Sequence, residues 1–212
     1  FIPSGWMSVL FGLAPIVTGL IATVWLAEQA LNAARIVGML LGLAGLAIMS
    51  LGSQQLGPQA AYGISGMVFS VFAYSLSAVI VKRIGAEVPA LATTIGGLMV
   101  AVPLLVMVFV LAGEPLPGIV PYKAMWSIIY LGIVGSVLGF ALYYYVLRHV
   151  EATRVALITL ITPVLALFLG HLLNGEPLQT QAMIGSAGII SGLLLFEYGQ
   201  AVGKWVRHTL MG

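Results

Sequence analysis

The sequence has no cysteine and no aspartate, and only 7% of its 212 residues are charged, where a soluble domain carries about 25%. Without cysteine there is no disulfide, no thiolate-bound zinc and no thiol nucleophile, while the compartment stays open, because a cysteine-free chain suits any redox poise. Eight Lys+Arg and six glutamates cannot cover a water-facing surface, so lipid must cover it. A net charge of +2 falls far short of the basic patch that nucleic-acid binding needs, which removes nucleic acid as a partner. No basic segment precedes the first apolar run and residue 1 is Phe, so the chain reads as lacking a signal peptide and as cut at its N-terminus.

What is present is apolar: 61% hydrophobic residues and a mean hydropathy of +1.13. At about 20 apolar residues per bilayer crossing, seven spans emerge, Gly5 to Ala27, Ala33 to Leu51, Ala60 to Val81, Val88 to Ala112, Ala124 to Leu147, Val155 to Gly175 and Leu178 to Phe196. The connectors are short and rich in Gly and Pro, as turns require. Continuous apolar runs, in place of ten-residue alternating segments, argue against a transmembrane barrel. The expected fold is all-α, a polytopic transmembrane helical bundle. Seven cations, Arg35, Lys82, Arg83, Arg148, Arg154, Lys204 and Arg207, fall on one side of these spans and Lys123 on the other. Cytoplasmic loops are enriched in Lys and Arg, so the C-terminus is expected inside and the first span enters from outside. An odd number of upstream spans would restore an N-terminus inside.

A weak internal repeat runs through the chain. Pro15 precedes Glu28 by thirteen residues, as Pro163 precedes Glu176; Leu31, Gly38, Gly45 and Leu46 then match Leu178, Gly185, Gly192 and Leu193 in spacing. The first and sixth spans run in opposite directions, so the repeat is inverted. Five spans separate equivalent positions, which divides the chain into 1–52, the last two helices of one copy, 60–200, a complete five-helix copy, and 201–212, a cytoplasmic tail. Three helices, about 80 to 100 residues, are then expected upstream. Inverted repeats are the mark of secondary transporters, whose halves rock about a midplane site.

Gly12-Leu13-Ala14-Pro15 through Leu26-Ala27-Glu28, then Gly38 and Gly45, resembles the close of an EamA domain, the repeat of the drug/metabolite transporter superfamily. Leu131-Gly132 through Tyr143-Tyr144-Tyr145, then Ile161-Thr162-Pro163 and Gly175-Glu176, resembles the same signature in a second copy. The resemblance implies a ten-helix inverted-repeat fold with both termini cytoplasmic, a bacterial inner-membrane location, export of amino acids or other small metabolites, and peripheral positions for the second and seventh spans. Neither cofactor nor metal is expected.

Polar and aromatic side chains inside spans need a partner or a cavity. Trp6, Ser8, Tyr74, Ser77, Tyr144, Thr159, Thr162 and His171 are therefore the candidate substrate-binding residues, in a cavity walled by the first, third, fifth and sixth spans. Of Tyr143, Tyr144 and Tyr145, 100° apart on a helix, at most two share a surface, and Trp6 and the tyrosines equally suit interfacial belts. Pro15 and Pro163 remove a backbone hydrogen bond and serve as kink or hinge. Glu28 and Glu176, at helix ends, read as interfacial anchors or loop hydrogen-bonders ahead of any role in ion coupling. Gly38/Gly42, Gly135/Gly139 and Gly188/Gly192 are GxxxG faces for close packing within the chain, and would also serve a homodimer. With no buried Arg or Lys expected to pair with anions, the cargo is expected to be a zwitterionic or aromatic solute and not a phosphate ester. The competing reading is a rhomboid-like intramembrane serine protease using Ser65 and His171. It leaves the repeat unexplained.

Overall fold

The computed structural model describes residues 2–28, 31–51, 57–84, 88–113, 120–175 and 177–211. Among them every regular element is helical, and seven helical stretches are long and apolar enough to cross a membrane. The first span is α1 (Ser4–Phe11) with α2 (Ala14–Trp25); α3 (Ala33–Leu51), α4 (Ala60–Ile84) and α5 (Ala90–Ala112) are the next three. The fifth is built from α6 (Tyr122–Tyr130), a π-helical segment (Leu131–Leu138) and α7 (Gly139–His149). The sixth is α8 (Ala152–Ala156) with α9 (Ile158–Asn174), and the seventh is α10 (Thr180–Met211).

α3 has the bounds expected of it, but α10 does not stop at Phe196. It continues to Met211. Hydropathy marks where the apolar run ends; a helix ends where proline or a cap stops it, and residues 197–211 contain no proline. The two breaks also differ from each other. In the first span the chain turns at Gly12 and Leu13, so Pro15 becomes the second residue of α2, where a missing N–H would have had no partner anyway. In the sixth span the turn falls at Leu157, and Pro163 lies inside the continuous helix α9.

The chain forms two compact units, Phe1–Ile80 with Glu151–Gly212, and Val81–Val150. In the first unit α3 and α10 pack backbone to backbone. A Cβ on Gly45 would lie 2.5 Å from the Gly185 carbonyl oxygen, and one on Gly185 2.5 Å from that of Gly45. Gly38 and Gly192 stand in the same mutual relation, at 2.6 and 2.5 Å. The constant shift that carries Gly38 onto Gly185 and Gly45 onto Gly192 exchanges these two contacts. It also exchanges Phe196, which faces Gly38, with Met49, which faces Gly185. Lipid is as apolar as a leucine side chain, so close van der Waals contact is what holds such helices together. The glycine faces of α3 and α10 are filled by each other, while Gly135 and Gly139 meet only their own span within 4 Å. Against this seam sit the buried side chains Leu46, Leu160, Val164 and Ile189, with Val9, Met49, Leu157, Ile161 and Leu193 packed around them.

The second unit pairs α5 with α7. Arg148 donates to the Thr93 hydroxyl at 3.2 Å, and the Lys82 ammonium donates to the Val150 carbonyl. The Gly97 position lies 4.0 Å from the Tyr144 hydroxyl. α5 has a mean hydropathy of 2.7 and Thr94 as its buried residue, the pattern of a helix solvated by lipid.

Candidate functional site

The two turns in the first and sixth spans open a cleft of about 500 Å³ inside the first unit. Its wall is Met7, Ser8 and Phe11 of α1, Met67 and Tyr74 of α4, and Ile158, Thr159, Thr162 and Pro163 of α9. No charged side chain lines it among the described residues. The turn at Gly12 and Leu13 separates α1 from α2, the turn at Leu157 separates α8 from α9, and α4 is one unbroken helix. A fully buried Ser75 fastens α4 to this frame by donating to the Ala14 carbonyl at 3.4 Å. The Phe11 and Tyr74 rings meet at 5.1 Å with a 54° tilt, so the aromatic face of the cleft is held by contact between two helices.

The hydroxyls are committed in one direction. Ser8 donates to the Ser4 carbonyl at 3.1 Å, Thr159 to Ala156 at 2.9 Å and Thr162 to Ile158 at 2.6 Å. Each has spent its single proton on its own helix and keeps its lone pairs. Pro163 has no N–H, so the carbonyl four residues back, that of Thr159, lacks its α-helical donor; the Phe11 carbonyl lacks one because α1 ends there. Both residues belong to the wall.

Of the candidate residues, Ser8, Tyr74, Thr159, Thr162 and Pro163 are thus gathered in one cleft. Trp6 is half-buried on α1 and Ser77 exposed on α4, and neither lines it; His171 is exposed in the last turn of α9. Pro15 is buried beneath the turn. Tyr144 belongs to the second unit, where its ring meets Tyr143 at 5.4 Å and Phe140 at 6.1 Å. Glu176 lies outside the described residues. Sequence reasoning passed over Met7, Phe11, Met67 and Ile158, because an apolar residue in a membrane span carries no mark separating cavity from lipid or core. Thr18, fully buried, has no hydrogen-bond partner for its hydroxyl among the described residues.

The charges of this unit lie elsewhere. Arg35, 5% exposed, sits 3.2 Å from the Glu151 carboxylate and 5.1 Å from the centre of the Phe196 ring. Arg154 joins the same carboxylate at 3.2 Å and reaches Glu197 at 3.1 Å. Glu28 accepts the N–H of Ala152, the first residue of α8, at 2.8 Å, and Asn32 caps α3 by accepting the Arg35 N–H at 2.9 Å. Carboxylates at a helix N-terminus complement its dipole. Charges read from three separate loops converge here into one cluster joining α2, α3, α8 and α10.

Seven apolar helical spans and an uncharged cleft between broken helices define a multi-pass membrane protein of the transporter class. The EamA-like transporter family model matches residues 61–198, and the chain belongs to that family. It is similar to an uncharacterized transporter of Archaeoglobus fulgidus, 26% identical over 204 residues, 92% of this chain and 68% of that protein. A probable terminal-alkyne amino-acid exporter of Streptantibioticus cattleyicolor is 29% identical over 204 residues, 92% and 65% of the two chains. The uncharacterized inner membrane transporter YedA of Escherichia coli K12 is 26% identical over 164 residues, 77% and 53%. A solved crystal structure shares the fold with a TM-score of 0.77 at 20% identity, over 91% of this chain and 67% of its own. The chain spans about two thirds of the length of the first two of these relatives and of that structure. As a member of this family it is a membrane transporter and not an enzyme, which sets aside the protease alternative; Ser65 itself donates to the Tyr62 carbonyl of its own helix at 3.0 Å.

Proposed function

We propose that the protein moves a small zwitterionic or aromatic metabolite, such as an amino acid, outward across a bacterial inner membrane, with the cleft between α1, α4 and α9 as its solute site. The observation that carries this reading is the cleft itself: about 500 Å³, within the range of small-molecule sites, and walled by hydroxyls, rings and thioethers without a charge. The exporter name of one relative supports amino-acid cargo, and the inner-membrane name of another supports the location. The repeat of Pro15, Gly38 and Gly45 in Pro163, Gly185 and Gly192, with the reciprocal glycine contacts, supports alternating access between inverted halves. The excess of cations on one side supports a cytoplasmic C-terminus. The cluster of Glu28, Arg35, Glu151, Arg154 and Glu197 then lies at the cytoplasmic end, where breaking and remaking ion pairs would gate one side of the cleft.

The test is transport by the protein expressed from its whole reading frame. Tyr74→Ala and Thr162→Val are expected to lower solute efflux about tenfold with the protein still present in the membrane at its usual level. Unchanged efflux in both variants would remove the cleft from the transport path.

A further inference from the structure

We propose that the cleft selects its solute at the amine end: it recognises a protonated amine on an apolar or aromatic body and offers a free carboxylate no partner. This rests on the reading of the cleft as the solute site. The argument is a count of protons. Ser8, Thr159 and Thr162 have each donated to a carbonyl of their own helix, at 3.1, 2.9 and 2.6 Å, so towards a solute they act as acceptors. Pro163 leaves the Thr159 carbonyl without a helical donor, and the end of α1 leaves that of Phe11 without one. The Phe11 end of α1 is a helix C-terminus, the negative pole of its dipole. Rings and thioethers complete the wall, and both favour a cation, the rings by their negative faces and the sulfurs by their polarisability.

A carboxylate finds the opposite. Ser8, Thr159 and Thr162 have already given their protons to their own helices, and the remaining side-chain O–H of the wall is the phenol of Tyr74. Arg35 and Arg154 of this unit are bound into the charge cluster with Glu151 and Glu197. A dehydrated carboxylate needs several donors or a cation, whereas an ammonium brings three protons of its own to a wall of acceptors. An ammonium therefore exchanges its water shell for protein oxygens, and a carboxylate loses its shell with little in return.

The test is calorimetric titration of the purified full-reading-frame protein at neutral pH with four probes that share a phenylalkyl body: 2-phenylethylamine, L-phenylalaninamide, L-phenylalanine and 3-phenylpropionate. The amine and the amide are expected to bind at least tenfold more tightly than the acid, with the zwitterion between them. Thr162→Val is expected to weaken the amine about threefold to tenfold, the span of one net hydrogen bond, without changing the residual binding of the acid; Thr162→Ser restores the amine. Thr159→Val is the second variant should the first fold poorly. Acid or zwitterion binding as tightly as the amine, and sensitive to Tyr74→Ala, would overturn the selectivity while leaving the cleft as the site. Failure of all four probes to bind would overturn the cleft as a solute site, and the selectivity with it.

Discussion

The first and sixth spans invite comparison, because each is broken by a turn, carries a proline, contributes hydroxyl and apolar side chains to the cleft, and is followed by a left-handed residue just before a glutamate. The left-handed residues are Ala27, with φ of 50°, and Gly175, with φ of 67°. The spans differ in what breaks them. α1 gives way to α2 at a glycine with Pro15 just inside the new helix; α8 gives way to α9 at Leu157, and Pro163 remains in the helix interior. One spacing of residues therefore hosts two local solutions. In the first span proline sits where it costs little; in the sixth it sits where it costs a hydrogen bond and exposes a carbonyl at the site.

The comparison breaks most severely at the glycine seam. Gly45→Leu and Gly192→Leu are each expected to destabilise the first unit by about 3 kcal/mol or more, since the new side chain meets backbone and not a flexible neighbour. Gly66→Leu, with no neighbour within 4 Å, is expected to leave the thermal midpoint in detergent unchanged. Unequal losses for Gly45 and Gly192 would show that the two helices do not share the seam evenly. A smaller contrast separates the prolines. Pro163→Ala, which returns the Thr159 carbonyl to its helix, is expected to raise stability by up to about 3 kcal/mol and to lower efflux; Pro15→Ala is expected to shift the midpoint by less than about 0.5 kcal/mol. Equal shifts would contradict the different placement of the two prolines. The smallest contrast is at the left-handed residues, where Ala27→Gly is expected to stabilise and Gly175→Ala to destabilise, each by about 1 kcal/mol, read from paired denaturation curves.

Much of the fold was legible because lipid imposes a simple rule: a run of apolar residues about 20 long must be a helix. That rule located all seven spans and the bounds of α3. It was silent on everything within a span. Nothing in Leu131–Leu138 distinguishes a π-helical turn from an α-helical one, and Leu157 is a leucine among many where the sixth span turns. The hydroxyls of the cleft stood out because polarity is rare in hydrocarbon. Their apolar companions did not, since Met67 and Phe11 look like any lipid-facing residue until α1, α4 and α9 are set in register. Arg35 was read as one of the cations on one side of the membrane; that it pairs with Glu151 depends on how α3 docks against α8, which no local pattern records.

The absence of cysteine supplies the most direct test of the central claim, that a solute enters the cleft walled by Ser8, Tyr74 and Thr162. Single replacements Ser8→Cys and Thr162→Cys place the chain's only thiol in that wall, and Leu165→Cys, on an exposed position of the same helix α9, serves as the lipid-facing reference. A small, charged, membrane-impermeant thiol reagent is expected to label Ser8→Cys and Thr162→Cys in intact membranes, to spare Leu165→Cys, and to be slowed severalfold by 2-phenylethylamine. Labelling of Leu165→Cys alone, or labelling in the wall that no probe slows, would contradict the account.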